Sequence, residues 1–147
     1  MTQAGVAGSD KSRATLAGMI QDKLGPGETI LAILPFTNTQ KRPKTPGEGR
    51  KDKVRTGVYQ SWRRYRPLVL TNRRLFVFET GRTPAPREVL AEFPIEQIDL
   101  VDLGPGRFGS TRFVLDLPAA GRVPFEAGSK ERHDLVTLQE TLGGPSA

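Results

Sequence analysis

Basic and aromatic side chains interleave in one segment of this 147-residue chain. Twelve Lys and Arg residues but only two acids, Glu48 and Asp52, lie between Lys41 and Arg74, and the rest of the chain is slightly acidic. Charge concentrated in this way favours an anionic partner: acidic lipid headgroups, an acidic protein surface or nucleic acid. The candidate partner-binding residues are Lys53, Arg55, Tyr59, Trp62, Arg63, Arg64 and Arg66.

Three aromatic residues with a polar edge, Tyr59, Trp62 and Tyr65, stand among these arginines. Such rings beside guanidinium groups are typical of membrane interfaces, of protein hot spots and of surfaces that bind single-stranded nucleic acid. A structural interpretation is open as well, in which Trp62 packs on the rim of the domain beneath arginine stems. The aromatic pattern supports a partner surface without identifying the partner.

The residue types that catalysis and metal binding require are scarce. The chain has no cysteine, which excludes disulfides and thiolate metal sites. Its single histidine, His133, is expected at the surface near the start of the last helix. No nucleophile, base and orienting group are recognisable as a set, and Asp99 and Asp102 are not expected to share a strand face. The composition therefore predicts a non-catalytic protein without a cofactor or a metal.

Residues 104–109 read Gly-Pro-Gly-Arg-Phe-Gly, which matches the G-x-G-x-x-G spacing of nucleotide-binding loops. In those loops a helix follows at once, and its N-terminus meets the pyrophosphate. Here the alternating segment 111–117 follows, which predicts a strand. We therefore interpret 104–109 as a loop between two strands.

Hydrophobic periodicity predicts the elements that must position these residues. Residues 1–8 are small or polar and are expected to be disordered. Segment 9–24 is expected to form an amphipathic helix over 11–24, which ends at Gly25-Pro26 and docks on the domain. Its apolar stripe consists of Leu16, Met19, Ile20 and Leu24. Short apolar or alternating runs then predict seven strands, at 29–36, 68–71, 75–78, 88–93, 98–103, 111–117 and 123–125.

One domain is expected over residues 25–142, with a long basic insertion at 37–66 and a short tail at 143–147. The insertion begins with residues 37–53, which lack any apolar side chain and so cannot offset the cost of ordering. Ser129 is expected to cap a last helix, which Gly143 ends. In the strand at 88–93, Val89, Ala91 and Phe93 are expected to share one face. In the strand at 111–117, Phe113, Leu115 and Leu117 are expected to point into the core. The last helix is expected to carry an apolar stripe of Leu135, Leu138 and Leu142.

Four short motifs stand at the boundaries of these elements: Leu24-Gly-Pro-Gly-Glu28, Leu70-Thr-Asn-Arg-Arg-Leu75, Phe93-Pro-Ile-Glu-Gln-Ile98 and Gly121-Arg-Val-Pro-Phe125. In this order and spacing they resemble the PH-like superfamily, in particular its bacterial PH and GRAM-like branch. The resemblance covers about residues 24–142. It implies a mainly β (α+β) fold, a seven-stranded, strongly bent β-barrel that the C-terminal helix caps.

The resemblance also implies that the connection between the first two strands is the ligand loop. Lys53-Val-Arg55 and Arg64-Tyr-Arg66 match the basic-x-Arg part of the pattern of phosphoinositide-binding PH domains. Pro35 and Phe36 stand where the upstream lysine of that pattern falls, which argues against specific inositol-phosphate recognition. Because PH-like domains bind lipids, peptides or other proteins, the family alone leaves the ligand open.

The leading hypothesis is a non-catalytic adaptor that docks an anionic surface, either acidic lipid headgroups or an acidic protein, through the basic insertion. A first alternative is an assembly protein that forms oligomers or larger complexes through the barrel face and the N-terminal helix. A second is non-specific nucleic-acid binding, although no recognition helix or RNA-binding motif is present. The N-terminus carries no signal-peptide pattern, which predicts a cytoplasmic protein, with peripheral contact to the inner face of the membrane under the lipid hypothesis.

Overall fold

A computed structural model describes residues 7–39, 65–80, 85–106 and 108–143. Within these ranges the protein is mainly β, with two α-helices and two four-stranded antiparallel sheets, neither of which closes into a barrel. One sheet has the strand order β1-β3-β4-β5 and the other has the order β2-β8-β7-β6. The elements are α1 (Ala7–Ile20), β1 (Ile30–Leu34), β2 (Asn38–Thr39), β3 (Leu68–Thr71), β4 (Arg74–Thr80), β5 (Pro86–Pro94), β6 (Asp99–Pro105), β7 (Thr111–Leu117), β8 (Gly121–Ala127) and α2 (Arg132–Leu142).

The predicted strands 68–71 and 111–117 are confirmed residue for residue, and the other five are confirmed with shifted ends. The number of strands differs from the prediction because of the first predicted strand, 29–36, which ends early, at Leu34. The chain turns at Pro35 and Phe36, and Asn38–Thr39 then pairs with β8 in the other sheet. The described part of the chain thus has eight strands where seven were predicted, because one bent segment contributes to both sheets.

Most buried side chains form one core that draws on both sheets and on α2. The sheet that contains β3 and β4 is buried on its second face as well, where Val69, Phe76 and Phe78 pack against Leu16 and Ile20 of α1. Burial on both faces explains why these two strands read as continuous apolar runs. The alternation in β7 is confirmed, since Phe113, Leu115 and Leu117 are all buried in the main core.

The prediction that Val89 shares a face with Ala91 and Phe93 is wrong. Val77 faces Ala91 across the ladder but Phe78 faces Val89, so Leu90 is an extra residue in β5. A bulge of this kind shifts the alternation that follows it. Val89 therefore packs with the cluster beneath α1, whereas Ala91 and Phe93 pack in the main core.

The helix ends also differ from the prediction. Helix α1 begins at Ala7, so the segment expected to be disordered, 1–8, overlaps its first turn; residues 1–6 lie outside the described ranges. The helix ends at Ile20, and a 3-10 turn, Gln21–Lys23, continues it to Leu24. Ser129 does not cap α2: the turn before the helix is closed by the Glu131 carboxylate, which accepts a hydrogen bond from the Gly128 N–H at 3.1 Å. Gly143 ends α2 in the left-handed conformation, as predicted.

Candidate functional site

Six of the seven predicted contact residues, Lys53, Arg55, Tyr59, Trp62, Arg63 and Arg64, lie outside the described ranges. The seventh, Arg66, is buried, with 2% of its surface exposed. Its backbone N–H donates to the carbonyl of Thr37 at 2.8 Å, and its Nη1 donates to the carbonyl of Tyr65 at 3.0 Å. Arg66 thus fastens the chain where it re-enters the fold, and its contact with a partner stays a prediction.

The residues near the two ends of the basic insertion, Asn38 and Tyr65, are held side by side. Asn38 and Tyr65 face each other across an isolated antiparallel bridge, and the Thr80 hydroxyl donates to the Tyr65 carbonyl at 2.9 Å. Asn38 is also in register with Glu126 of β8. The intervening residues 40–64, here named the basic loop, therefore leave and re-enter the fold at adjacent positions.

Three of the twelve basic residues between 41 and 74 lie in the described ranges, and all three are used within the fold. Besides Arg66, these are Arg73, whose Nη2 donates to the Pro26 carbonyl at 2.6 Å, and Arg74, which is paired with Glu28. The other nine belong to the basic loop, against its two acids Glu48 and Asp52. Apart from Arg73, which is exposed although it bonds the Pro26 carbonyl, the charge of this segment that remains for a partner therefore lies in the loop.

Glu28 is buried, and its carboxylate is fully occupied. Arg74 donates to both of its oxygens, Nε to Oε2 at 2.9 Å and Nη2 to Oε1 at 3.0 Å. The Thr71 hydroxyl and the Gly25 N–H donate to it as well, at 2.7 and 3.0 Å. Hydrogen bonding from Arg74, which outweighs the opposing effect of burial, lowers the pKa of Glu28 to about 2. A carboxylate that four donors hold in its ionised form stabilises the fold and is unsuited to proton transfer.

The motifs that carry the family resemblance contact one another around this ion pair. The Asn72 side chain accepts from the Thr29 N–H at 2.9 Å and donates to the Gly27 carbonyl at 3.0 Å. The Arg73 carbonyl accepts from the N–H of Ile95, which lies in the third motif. Three of the four motifs, at 24–28, 70–75 and 93–98, thus form one connected structural cluster. Sequence reasoning named these motifs but did not predict the Glu28–Arg74 ion pair. The signal available in the sequence was the acid Glu28 in the first motif and the two arginines, Arg73 and Arg74, in the second.

A second buried acid joins the start of α2 to the end of β1. Glu131 accepts hydrogen bonds from the Phe36 N–H at 2.8 Å and, as described above, from Gly128. Burial is the main cause that raises the pKa of Glu131 above its usual value. Nearby, Arg13 of α1 and Asp134 of α2 form an ion pair of 2.5 Å. These acids hold the two helices to the sheets, and both are occupied by partners from this chain.

Gly104 and Pro105 end β6, and β7 begins at Thr111, so the predicted connection between two strands is confirmed but starts two residues later than the motif at 104–109. Phe108 lies at its tip with 99% of its surface exposed and a left-handed backbone conformation, φ 55°. Sequence reasoning did not single out Phe108. The signal that was available is its place between Arg107 and Gly109 in a segment too polar and glycine-rich to be core.

Other chemistry finds little support within the described ranges. They contain no group of three or more His, Cys, Asp or Glu residues arranged to hold a metal ion. His133 is exposed, as predicted. No helix in this part of the chain has the length and hydropathy needed to cross a membrane.

Comparison with known proteins adds no identification. The chain matches no family model, and no curated protein matches its sequence. A function must therefore be argued from the charge distribution and from the geometry described above.

Proposed function

We propose that this protein is a non-catalytic binding module with a PH-like fold, which docks on an anionic surface through the basic loop. The observation that carries the proposal is the confinement of charge. Nine basic residues and two acids occupy residues 40–64, whose ends are pinned together by Asn38 and Tyr65. The remaining basic residues of the segment, Arg66, Arg73 and Arg74, are used to build the fold.

Three features support the PH-like part of the proposal. The C-terminal helix follows the last strand, as in the fold that the resemblance implies, whereas the eight described strands form two antiparallel sheets that do not close into the implied barrel. The chain passes between the sheets three times, from β1 to β2, from β2 back to β3 and from β5 to β6. Leu135 and Leu138 of α2 are buried in the core to which both sheets contribute, as expected of a capping helix.

The energetics favour binding by many weak contacts. A Lys or Arg close to an anionic leaflet contributes about 1 kcal/mol, so four of the nine acting together give useful affinity. A loop with pinned ends loses less conformational freedom on binding than a free tail of the same length. Because salt screens the attraction between a protein's cations and an anionic surface, this binding weakens as salt rises.

Cosedimentation with vesicles tests the proposal. Vesicles of phosphatidylcholine alone and of phosphatidylcholine with phosphatidylserine are compared at low and at physiological salt. The loop variant is Arg63→Glu/Arg64→Glu, which leaves the buried Arg66 in place. The matched control is Lys11→Glu/Arg87→Glu, which makes the same change in charge at exposed positions outside the loop.

The chain and the control variant are expected to bind only the phosphatidylserine vesicles, more weakly at higher salt, and the loop variant is expected to lose most of this binding. Equal losses in the loop and control variants would mean that net charge matters and that the loop has no special role. Binding to neither vesicle would leave an acidic protein as the anionic surface. A steep salt dependence on duplex DNA, with no binding to vesicles, would favour nucleic acid.

The assembly alternative has less support. It uses the apolar stripe of the N-terminal helix, and the two main residues of that stripe, Leu16 and Ile20, are fully buried against β3 and β4 of the same chain. Self-association through α1 would therefore require the helix to leave its own sheet. Sedimentation velocity of the chain with and without residues 1–24 tests this alternative, which requires an oligomer that resists salt and is lost with the helix.

A further inference from the structure

The tip of the β6–β7 hairpin presents an apolar ring to solvent. Phe108 is 99% exposed, and it adopts a left-handed conformation that residues with a Cβ atom disfavour. A large apolar side chain in an unfavourable backbone region, with no contact in the core, contributes nothing evident to folding. Such a combination points to a role outside the fold.

The hairpin holds this tip in a defined shape. The Gly106 N–H donates to the Ser110 carbonyl at 2.9 Å, which closes the turn. The Ser110 hydroxyl is hydrogen-bonded to the Glu126 carboxylate of β8. Gly106 packs so closely here that a Cβ atom would lie 2.8 Å from Glu126 Oε2. The ring of Phe108 is thus carried by a turn that is tied to the neighbouring strand.

Basic side chains are exposed on β7 and around the start of α2, the two segments that lie next to the tip. Arg112, Lys130 and Arg132 are exposed, and the sequence places Arg107 directly before the phenylalanine. Arg132 reaches the turn itself, with its Nη2 3.4 Å from the Gly109 carbonyl. Among the described residues, Glu126 is the acid that contacts the turn, and its carboxylate is hydrogen-bonded to Ser110. An exposed apolar ring with cations around it is complementary to an acidic leaflet, in which headgroup charge lies above hydrocarbon.

The tip also lies beside the base of the basic loop. Glu126, which holds Ser110, is in register with Asn38, and Asn38 faces Tyr65. Tyr65, 37% exposed, is the residue at which the basic loop re-enters the fold. Only β8 and the short strand β2 separate the hairpin from this point. The tip of the β6–β7 hairpin and the basic loop can therefore contact the same anionic surface.

From this arrangement we propose that Phe108 inserts into the headgroup region of an acidic lipid leaflet, while Lys130 and Arg132 contact lipid phosphates. The inference rests on the proposed function, because it takes the anionic surface to be a lipid leaflet towards which the basic loop draws the protein. A lipid leaflet fits better than a protein pocket. A single ring on a convex turn enters a fluid surface without needing a shaped cavity to receive it.

The test uses phosphatidylcholine vesicles with and without phosphatidylserine and the variants Phe108→Gly and Phe108→Leu. Phe108→Gly is expected to weaken binding to the acidic vesicles about tenfold, as loss of a partly buried aromatic side chain implies. Phe108→Leu is expected to retain most of the affinity. Because glycine adopts positive φ without strain, Phe108→Gly should melt no lower than the unaltered chain, so its loss of binding cannot be assigned to unfolding.

A matched control separates the backbone effect from the ring. Ala119 has a similar left-handed conformation, φ 67°, in the β7–β8 turn. Ala119→Gly should leave vesicle binding unchanged. Insertion depth is read from Phe108→Trp with the unaltered chain, which carries Trp62, as the reference; a blue shift of the added emission and its quenching by brominated phosphatidylcholine are expected with acidic vesicles.

The outcomes distinguish the inference from the proposed function. Phe108→Gly binding as well as the unaltered chain, or a tryptophan at 108 that brominated lipid does not quench, would overturn the insertion of Phe108. If in that case Arg63→Glu/Arg64→Glu still lost binding, the proposed function would stand without the insertion of Phe108. If Phe108→Gly lost binding and the loop variant did not, insertion would stand and the role of the basic loop would fall. Failure of the unaltered chain to bind acidic vesicles would overturn the inference outright.

Discussion

Arg74 binds the carboxylate of Glu28 with two hydrogen bonds, Nε to Oε2 at 2.9 Å and Nη2 to Oε1 at 3.0 Å. The two residues lie 46 positions apart, one before β1 and the other at the start of β4. The same guanidinium pairs with Glu92 at 2.6 Å and lies 4.7 Å above the ring centre of Phe76. This one arginine therefore joins the segment after α1 to β4 and β5.

Replacing Glu28 with glutamine should destabilise the fold by about 2–3 kcal/mol, because the change leaves a partly buried guanidinium without its main counter-charge. Urea denaturation at neutral pH measures the effect. The control is Glu92→Gln, which removes the second partner of the same arginine. Since Glu92 is 43% exposed, its loss should cost less than about 1 kcal/mol. Equal losses of unfolding free energy in the two variants would contradict the conclusion that Glu28 is the main partner of Arg74.

The stability difference between the unaltered chain and Glu28→Gln should depend on pH. The pKa of Glu28 is about 2 in the folded protein and 4.5 ordinarily, so the folded state binds fewer protons between these values. The stability that ionised Glu28 supplies is therefore complete above about pH 4.5 and is lost as pH falls towards 2, over a range of at most about 3 kcal/mol. Denaturation curves from pH 2 to 6 should show the two proteins converge at low pH. A difference that does not change with pH would refute the assignment.

Glu131 titrates in the opposite sense and should not disturb this comparison. Burial raises its pKa in the folded state, so its protonated form favours folding and that contribution is lost as pH rises above its ordinary pKa. The residue is present in both proteins, so its effect cancels in their difference. The variant comparison thus isolates Glu28.

Gly106→Ala should destabilise the β6–β7 hairpin by about 1–2 kcal/mol. The added Cβ atom would lie 2.8 Å from Glu126 Oε2 and closer still to Ser110 Oγ, which forces apart the two side chains that fasten the tip. Gly104→Ala is the control, because a Cβ atom at that position meets nothing within 4 Å. Hydrogen exchange at Ser110 and Thr111 reports the loosening. If the two variants behave alike, the close packing at Gly106 has no energetic weight.

The link between the helices should appear as a coupling energy. Arg13 and Asp134 are 2.5 Å apart and only partly exposed, and Arg13 Nη1 also donates to the Ile33 carbonyl at 3.1 Å. A double-mutant cycle with Arg13→Met and Asp134→Asn is expected to give a coupling of about 1 kcal/mol. The cycle is measured by thermal unfolding at low and high salt. Additive single-variant effects would show that the Arg13–Asp134 ion pair adds nothing to the docking of α1.

Parts of the candidate site were accessible from the sequence and parts were not. The basic loop follows from composition, because nine cations among polar residues need no tertiary context to be recognised. Arg66 looked the same as Arg63 and Arg64 in the sequence, yet it is buried where the chain re-enters the fold. The polar, glycine-rich surroundings of Phe108 indicated a loop, but its nearly complete exposure is decided by what packs around the turn.

By itself the sequence determined the approximate positions of seven of the eight described strands and of both helices, because alternation, apolar runs and Gly or Pro punctuation are local properties of the chain. It also determined that charge is concentrated in one loop. Only the tertiary structure decided that Glu28 pairs with Arg74, that a bulge moves Val89 beneath α1, and that Phe108 stands beside the base of the basic loop. Each of these depends on residues far apart in the chain meeting in one register, which local patterns do not encode.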